Sequence, residues 1–220
     1  VFLVTYVVPQ VAGVFAGGQR ALPLLTRWML GVSGFIREGG WVLLAAAVVI
    51  AAAVVMALRV PSIALRADAA WLRVPLLGPL ARSYNGARFA GTLAMLAGSG
   101  VPILKALQTA AETLGNRAMR ADAMEALVQV REGAPLASAL AGKKRFPGML
   151  ALFARLGEQT GTLAEMLRRA SVQLSSEVQR RSMALATLLE PLLVVGMGAV
   201  VVVIVLAVLL PIIELNTWVR

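Results

Sequence analysis

The chain contains no cysteine and no histidine. That absence alone excludes thiol nucleophiles, disulfides, cysteine–histidine zinc sites and imidazole acid–base chemistry. Acids are also few: 11 Asp and Glu stand against 21 Lys and Arg. No pair of acids has a metal-ligand spacing, and D-x-D, H-E-x-x-H and the phosphate loop G-x-x-x-x-G-K-[ST] are all missing. Gly98-Ser99-Gly100 lacks the preceding strand that a phosphate loop needs. An enzyme is therefore not expected, and no cofactor or metal is implied.

Apolar residues, by contrast, make up 59% of the 220 residues, above the 45–50% or so of soluble domains. They cluster. Residues 41–58 are uncharged and alanine-rich, and as a helix would cover roughly 27 Å, enough to cross a hydrocarbon core. Small side chains there let another helix approach closely. Residues 191–213 form a longer uncharged run between Glu190 and Glu214. Residues 1–15 are apolar but short, and are taken as the outer end of a span cut at its start, in a chain whose N-terminal part is missing. The expected fold is an all-α integral membrane protein with transmembrane helices and a cytoplasmic bundle of about six helices.

Orientation follows from the basic residues near span ends. Arg59, Arg66 and Arg73 follow the first complete span, and Arg168, Arg169, Arg180 and Arg181 precede the last. Residues 59–190 are therefore placed in the cytoplasm, the loop of residues 16–40 and the tail of residues 214–220 in the periplasm. In that loop Leu24, Leu25, Trp28, Val32, Phe35 and Ile36 make an amphipathic helix suited to a membrane surface. The positive flanks account for the net charge of +10 without nucleic acid.

Glycine and proline punctuate residues 59–190. A helix from about Ser83 to Ala97 stops at Gly98-Ser99-Gly100, and Pro102 opens the next, which Gly115 closes. Asn116 is an N-cap for a helix reaching Arg131. Gly133 and Pro135 repeat the arrangement of Gly100 and Pro102, as two uses of one stop–start turn. Pro147 opens a helix with Leu150, Phe153 and Leu156 at near-helical spacing. It ends in a polar elbow, Gly157, Glu158, Thr160 and Gly161, after which Thr162 and Glu165 form a T-x-x-E capping box. The next helix carries Leu163, Met166, Leu167, Ala170, Leu174 and Val178 on one face. Glu165 with Arg169, and Glu177 with Arg181, are i,i+4 ion pairs on the other. No stop signal precedes Glu190 and Pro191, so this helix is expected to enter the last span. A kink is expected at Pro191, whose ring lacks the N–H that would bond the Thr187 carbonyl. Lys143, Lys144 and Arg145 form the densest basic cluster, expected on an exposed turn and a candidate partner-binding site.

These segments carry a resemblance. Phe146-Pro147, then Gly157-Glu158-Gln159-Thr160-Gly161-Thr162-Leu163, then Leu189-Glu190-Pro191-Leu192 and Leu210-Pro211-Ile212 look like the GspF/PilC family. Ser99-Gly100-Val101-Pro102, Leu77-Gly78-Pro79-Leu80 and Leu22-Pro23-Leu24-Leu25-Thr26 are similar to it too. The resemblance covers nearly the whole chain, in order, and matches the C-terminal half of the family. It implies a non-catalytic inner-membrane platform of type II secretion that couples a cytoplasmic ATPase to pseudopilus assembly. The implied partners are that ATPase, bitopic inner-membrane assembly proteins, pseudopilins and lipid, with a homo-oligomer possible. Glu214-Leu215-Asn216 is more similar to the secretion branch than to the type IV pilus branch, which stays open as the alternative. A small transporter subunit would need polar residues inside the spans, and neither complete span has a charge.

Overall fold

The computed structural model describes residues 24–216, and the side chains of residues 41, 42, 44–203, 205, 206 and 209. Expectations for residues 1–23 and 217–220, and for the stripe from Leu24 to Ile36, lie outside what is described. Eight helices and no strand occur among the described residues: α1 (Leu24–Arg59), α2 (Pro61–Trp71), α3 (Leu77–Gly98), α4 (Ile103–Glu112), α5 (Arg117–Arg131), α6 (Leu136–Ala141), α7 (Gly148–Thr160) and α8 (Leu163–Asn216). The all-α fold class is as the sequence implies. Two compact units result, one of them Val55–Ala186; the remaining described residues belong to the other.

Unit Val55–Ala186 holds α2 to α7 and the beginning of α8. Its core is built from single large side chains set among alanines. Phe89, Leu93, Leu107, Leu114, Met119, Leu140, Leu150 and Leu167 are buried, with Ala90, Ala106, Ala110, Ala123 and Ala126 between them. Alanine contributes little area, but it permits close helix approach and loses no side-chain entropy on burial. Phe89 and Phe146 pack with ring centroids 5.2 Å apart and planes tilted by 52°.

Three helix ends use the same chemistry. Gly100, Gly133 and Gly161 all have positive φ, where a Cβ would be strained. After α3 the N–H of Val101 bonds the Leu96 carbonyl, after α5 Ala134 bonds Gln129, and after α7 Thr162 bonds Gly157. Each is the six-to-one hydrogen bond of a Schellman motif. The first two turns then extend through Pro102 and Pro135, at φ −50° and −59°, into the next helix. The repeated G-x-P sequence is thus one turn used twice.

Some boundaries differ from the sequence expectation. α2 was not anticipated, although Pro61 stands at its first turn, where a missing N–H costs nothing. α3 begins at Leu77, well before Ser83. Gly78 permits that start: a Cβ there would stand 2.3 Å from the Leu72 carbonyl oxygen. Gly115 does not close α4 with a left-handed turn; its N–H bonds Asn85 Oδ1 at 3.1 Å. Buried Asn85 also accepts from Asn116 and donates to the Ala81 carbonyl, so one amide joins α3 to the α4–α5 connection. Asn116 is the N-cap of α5, accepting from Met119 at 3.0 Å.

In the other unit α1 runs unbroken through Gly39 and Gly40, where the sequence separated a loop helix from a span. Interior glycine costs a helix about 1 kcal/mol each, less than a long apolar helix loses by exposing its backbone in lipid. α8, as the sequence implies, continues through Glu190 and Pro191 into its apolar part. Among the described residues α8 is the one unbroken helix long and apolar enough to cross a membrane. Around its apolar part the large side chains are exposed on all sides, from Leu188 and Leu192 to Val200. A helix apolar all round belongs in a core or a bilayer.

Candidate functional site

The elbow between α7 and α8 is set by two glycines with different duties. Gly161 has φ +70°, the left-handed conformation that stops α7. Gly157 lies one turn earlier on the buried side of α7, with Leu150 and Ala154. A Cβ on Gly157 would lie 2.7 Å from Leu163 Cα and 3.1 Å from Met166 Cβ, so glycine is what lets α8 close against α7. The Gly157 carbonyl also accepts the N–H groups of both Gly161 and Thr162. From there Leu167, Ala170 and Leu174 follow the predicted buried face. Leu156, by contrast, is exposed.

The capping box at the start of α8 does not form. Thr162 Oγ1 pairs with Thr160 Oγ1 at 2.7 Å, and the Glu165 carboxylate turns along the helix to Arg168 and Arg169 at 2.9–3.0 Å. Two guanidinium groups outcompete one backbone N–H for a carboxylate, since charge-assisted bonds are the stronger. The Glu177–Arg181 pair forms as the spacing implies.

Glu158 has a role the sequence did not disclose. Its carboxylate accepts the N–H of Leu136 at 2.6 Å and of Ala137 at 3.3 Å, the first two residues of α6. α6 has no side-chain cap of its own, because Pro135 occupies the N-cap position. A carboxylate on α7 therefore satisfies the orphan donors of α6 and meets its positive end.

Of the basic turn between α6 and α7, Lys144 is exposed as expected, while Lys143 and Arg145 are half-buried. Lys143 Nζ pairs with Glu125 Oε1 at 2.5 Å, and Arg145 Nη1 with Asp122 Oδ1 at 2.6 Å, both acids on α5. The Lys143 side chain is only 11% exposed. Lys144 alone of the three is exposed without such a partner among the described residues. Asp122 is buried, and burial pushes its carboxyl above the ordinary 3.8, although Arg145 pulls the other way. The turn also faces Arg73 and Arg82 across a cleft of about 540 Å³. Among the described residues no group of three or more acids could hold a metal.

A sequence model of type II secretion system (T2SS) protein F matches residues 89–211, from Phe89 in α3 into the apolar part of α8, and thus the core, the basic turn and the elbow. The chain belongs to the type II secretion system protein F family. Type II secretion system protein F of Pseudomonas aeruginosa is 42% identical over 98% of this chain and 53% of its own length. The Vibrio cholerae protein of the same name is 34% identical over 98% of this chain and 53% of its own length. Type IV pilus assembly protein PilC of Thermus thermophilus is 34% identical over 97% of this chain and 53% of its own. The chain thus spans about half the length of these curated relatives.

Within the protein F match, sequence reasoning located the elbow and the basic turn but not their partners. Glu158 meets α6 across 22 residues of chain, and Arg145 meets Asp122 across 23. Asp122 carried one usable signal: it is a lone acid among the alanines of α5's apolar face, where a carboxylate needs a cation.

Proposed function

We propose that this chain acts in a non-catalytic inner-membrane platform of type II secretion, coupling a cytoplasmic ATPase to the assembly of pseudopilus subunits. The single observation that carries this reading is the protein F match over residues 89–211. The apolar, all-round exposed helix of α8 supports a place in the membrane. The basic flanks of the apolar runs favour a cytoplasmic residue 59–190 region, with residues 16–40 and 214–220 periplasmic. In this account the elbow residues Gly157, Glu158, Gly161 and Thr162 hold the helices of that region in register. Glu190 and Pro191 mark the membrane border, with the kink there part of the proposal. The partners are the secretion ATPase, bitopic inner-membrane proteins and pseudopilins.

Relatives named for type IV pilus assembly lend support to a pilus platform as the second reading. Deleting the gene that encodes this chain and assaying both culture medium and surface pili separates the two. Loss of exported proteins from the medium, restored by the gene, is the expected result; loss of pili alone selects the second reading. Unchanged secretion and unchanged pili contradict both. For orientation, alkaline phosphatase fused after Arg220 is expected to be active and a fusion near Arg120 inactive. Activity at Arg120 would overturn the topology.

A further inference from the structure

Five cations from three parts of the chain line the cleft of about 540 Å³ within unit Val55–Ala186. Arg73 follows α2, Arg82 lies on α3, and Lys143, Lys144 and Arg145 form the α6–α7 turn. Two carboxylates answer them: Asp122 in the lining, paired with Arg145, and Glu125, paired with Lys143. Five positive charges against two negative leave three uncompensated.

Their hydrogen bonding is also incomplete. Arg82 donates through Nη2 to the Leu72 carbonyl at 2.6 Å, while its Nε is buried with no acceptor. A buried guanidinium N–H without an acceptor is unfavourable by about 1–3 kcal/mol, and native structures seldom keep one without a reason. Arg73 and Lys144 have no side-chain hydrogen bond or ion pair among the described residues.

We propose that this cleft docks an acidic peptide segment of a partner protein, whose carboxylates pair with Arg73, Lys144 and Arg82. The proposal rests on the platform reading, in which residues 59–190 meet soluble components. Three observations favour a peptide over a phosphate group. The anions the turn already holds are carboxylates, in geometry that suits them, at 2.5 and 2.6 Å. The cleft is an order of magnitude larger than the ~30 Å³ share of a water molecule, too large for one compact anion and in the range of a ligand of several groups. The two unpartnered cations sit on different connections, one before α3 and one before α7, which suits charges spaced along a chain. Glu125 is 64% exposed, so its pairing with Lys143 is open to exchange with an incoming carboxylate.

The test uses the whole chain in an uncharged detergent and a fluorescein-labelled peptide of alternating glutamate and glycine, followed by fluorescence anisotropy. Parent protein is expected to bind, and to bind less as salt rises. The double variant Arg73→Glu/Lys144→Glu is expected to bind at least about tenfold more weakly with unchanged helicity, since neither residue has a partner to lose. Arg131→Glu/Arg155→Glu makes the same change of charge at exposed positions outside the cleft and is expected to bind like the parent. Equal weakening in the two doubles, or none in the first, overturns the proposal. So does displacement of the peptide by inorganic phosphate, or by phosphatidylglycerol added to the micelles, more effectively than by acetate of matched charge. Binding reads the cleft alone, whereas the deletion phenotype reads the platform role, so either can fail without the other.

Discussion

The Glu158 carboxylate on α7 lies 2.6 Å from the backbone nitrogen of Leu136, the first residue of α6. A six-residue helix cannot hold itself together by propensity, so an external cap decides whether it forms. Glu158→Ala is expected to destabilise the protein by about 0.5–2 kcal/mol, the usual loss for a helix cap. Glu158→Gln, which keeps an acceptor without the charge, should lose less. Thermal unfolding followed by circular dichroism in detergent checks both; for a chain of this size each kcal/mol moves Tm by about 2–4 °C. Parent-like melting of the alanine variant would remove the cap from the account.

The two elbow glycines should respond differently from their neighbours. Gly157→Ala drives a Cβ against the Leu163 backbone and is expected to cost about 1–3 kcal/mol. Gly161→Val, at φ +70°, should cost roughly 1–2 kcal/mol from backbone strain. Gly148→Ala meets open space and is expected to be neutral or to stabilise by about 0.4–1 kcal/mol. Thr162→Ala loses only an exposed hydroxyl pair with Thr160 and should stay within about 0.5 kcal/mol. The same unfolding measurements order the four variants, and a Gly157→Ala protein as stable as the parent would contradict the close approach.

The sequence made the local devices of this fold legible and left the distant ones hidden. Gly100, Gly133, Gly161 and the Asn116 cap act on their own turns, so each could be identified from its immediate neighbours. Lys143 and Arg145 were visible as charge on a turn, but their acids lie on α5, and only the folded chain brings them together. The Thr162–Glu165 spacing was misleading for a related reason: Arg168 and Arg169 offer the same carboxylate stronger donors. Gly115 stops nothing, because a distant Asn85 fixes its N–H.

Asp122 gives a pH dependence with a definite sign. Burial raises its carboxyl above the ordinary 3.8 despite Arg145, so the folded state holds the proton more tightly than the unfolded chain. The contribution of this group to stability therefore grows as pH falls through the raised folded value, and is complete below about the unfolded 3.8. Relative to Asp122→Asn, which cannot titrate, the parent is expected to gain stability on going from neutral toward pH 4. Paired denaturant unfolding curves across that range measure the difference. A gap that moves the other way would mean that pairing with Arg145 outweighs burial.

The proposed function is coupling of a cytoplasmic ATPase to assembly in the inner membrane. Affinity purification of the tagged protein from detergent-solubilised membranes, after brief crosslinking in living cells, tests it most directly. The account predicts that the secretion ATPase is retained with the protein. Recovery of the protein from the inner membrane at native levels with no ATPase attached would contradict it.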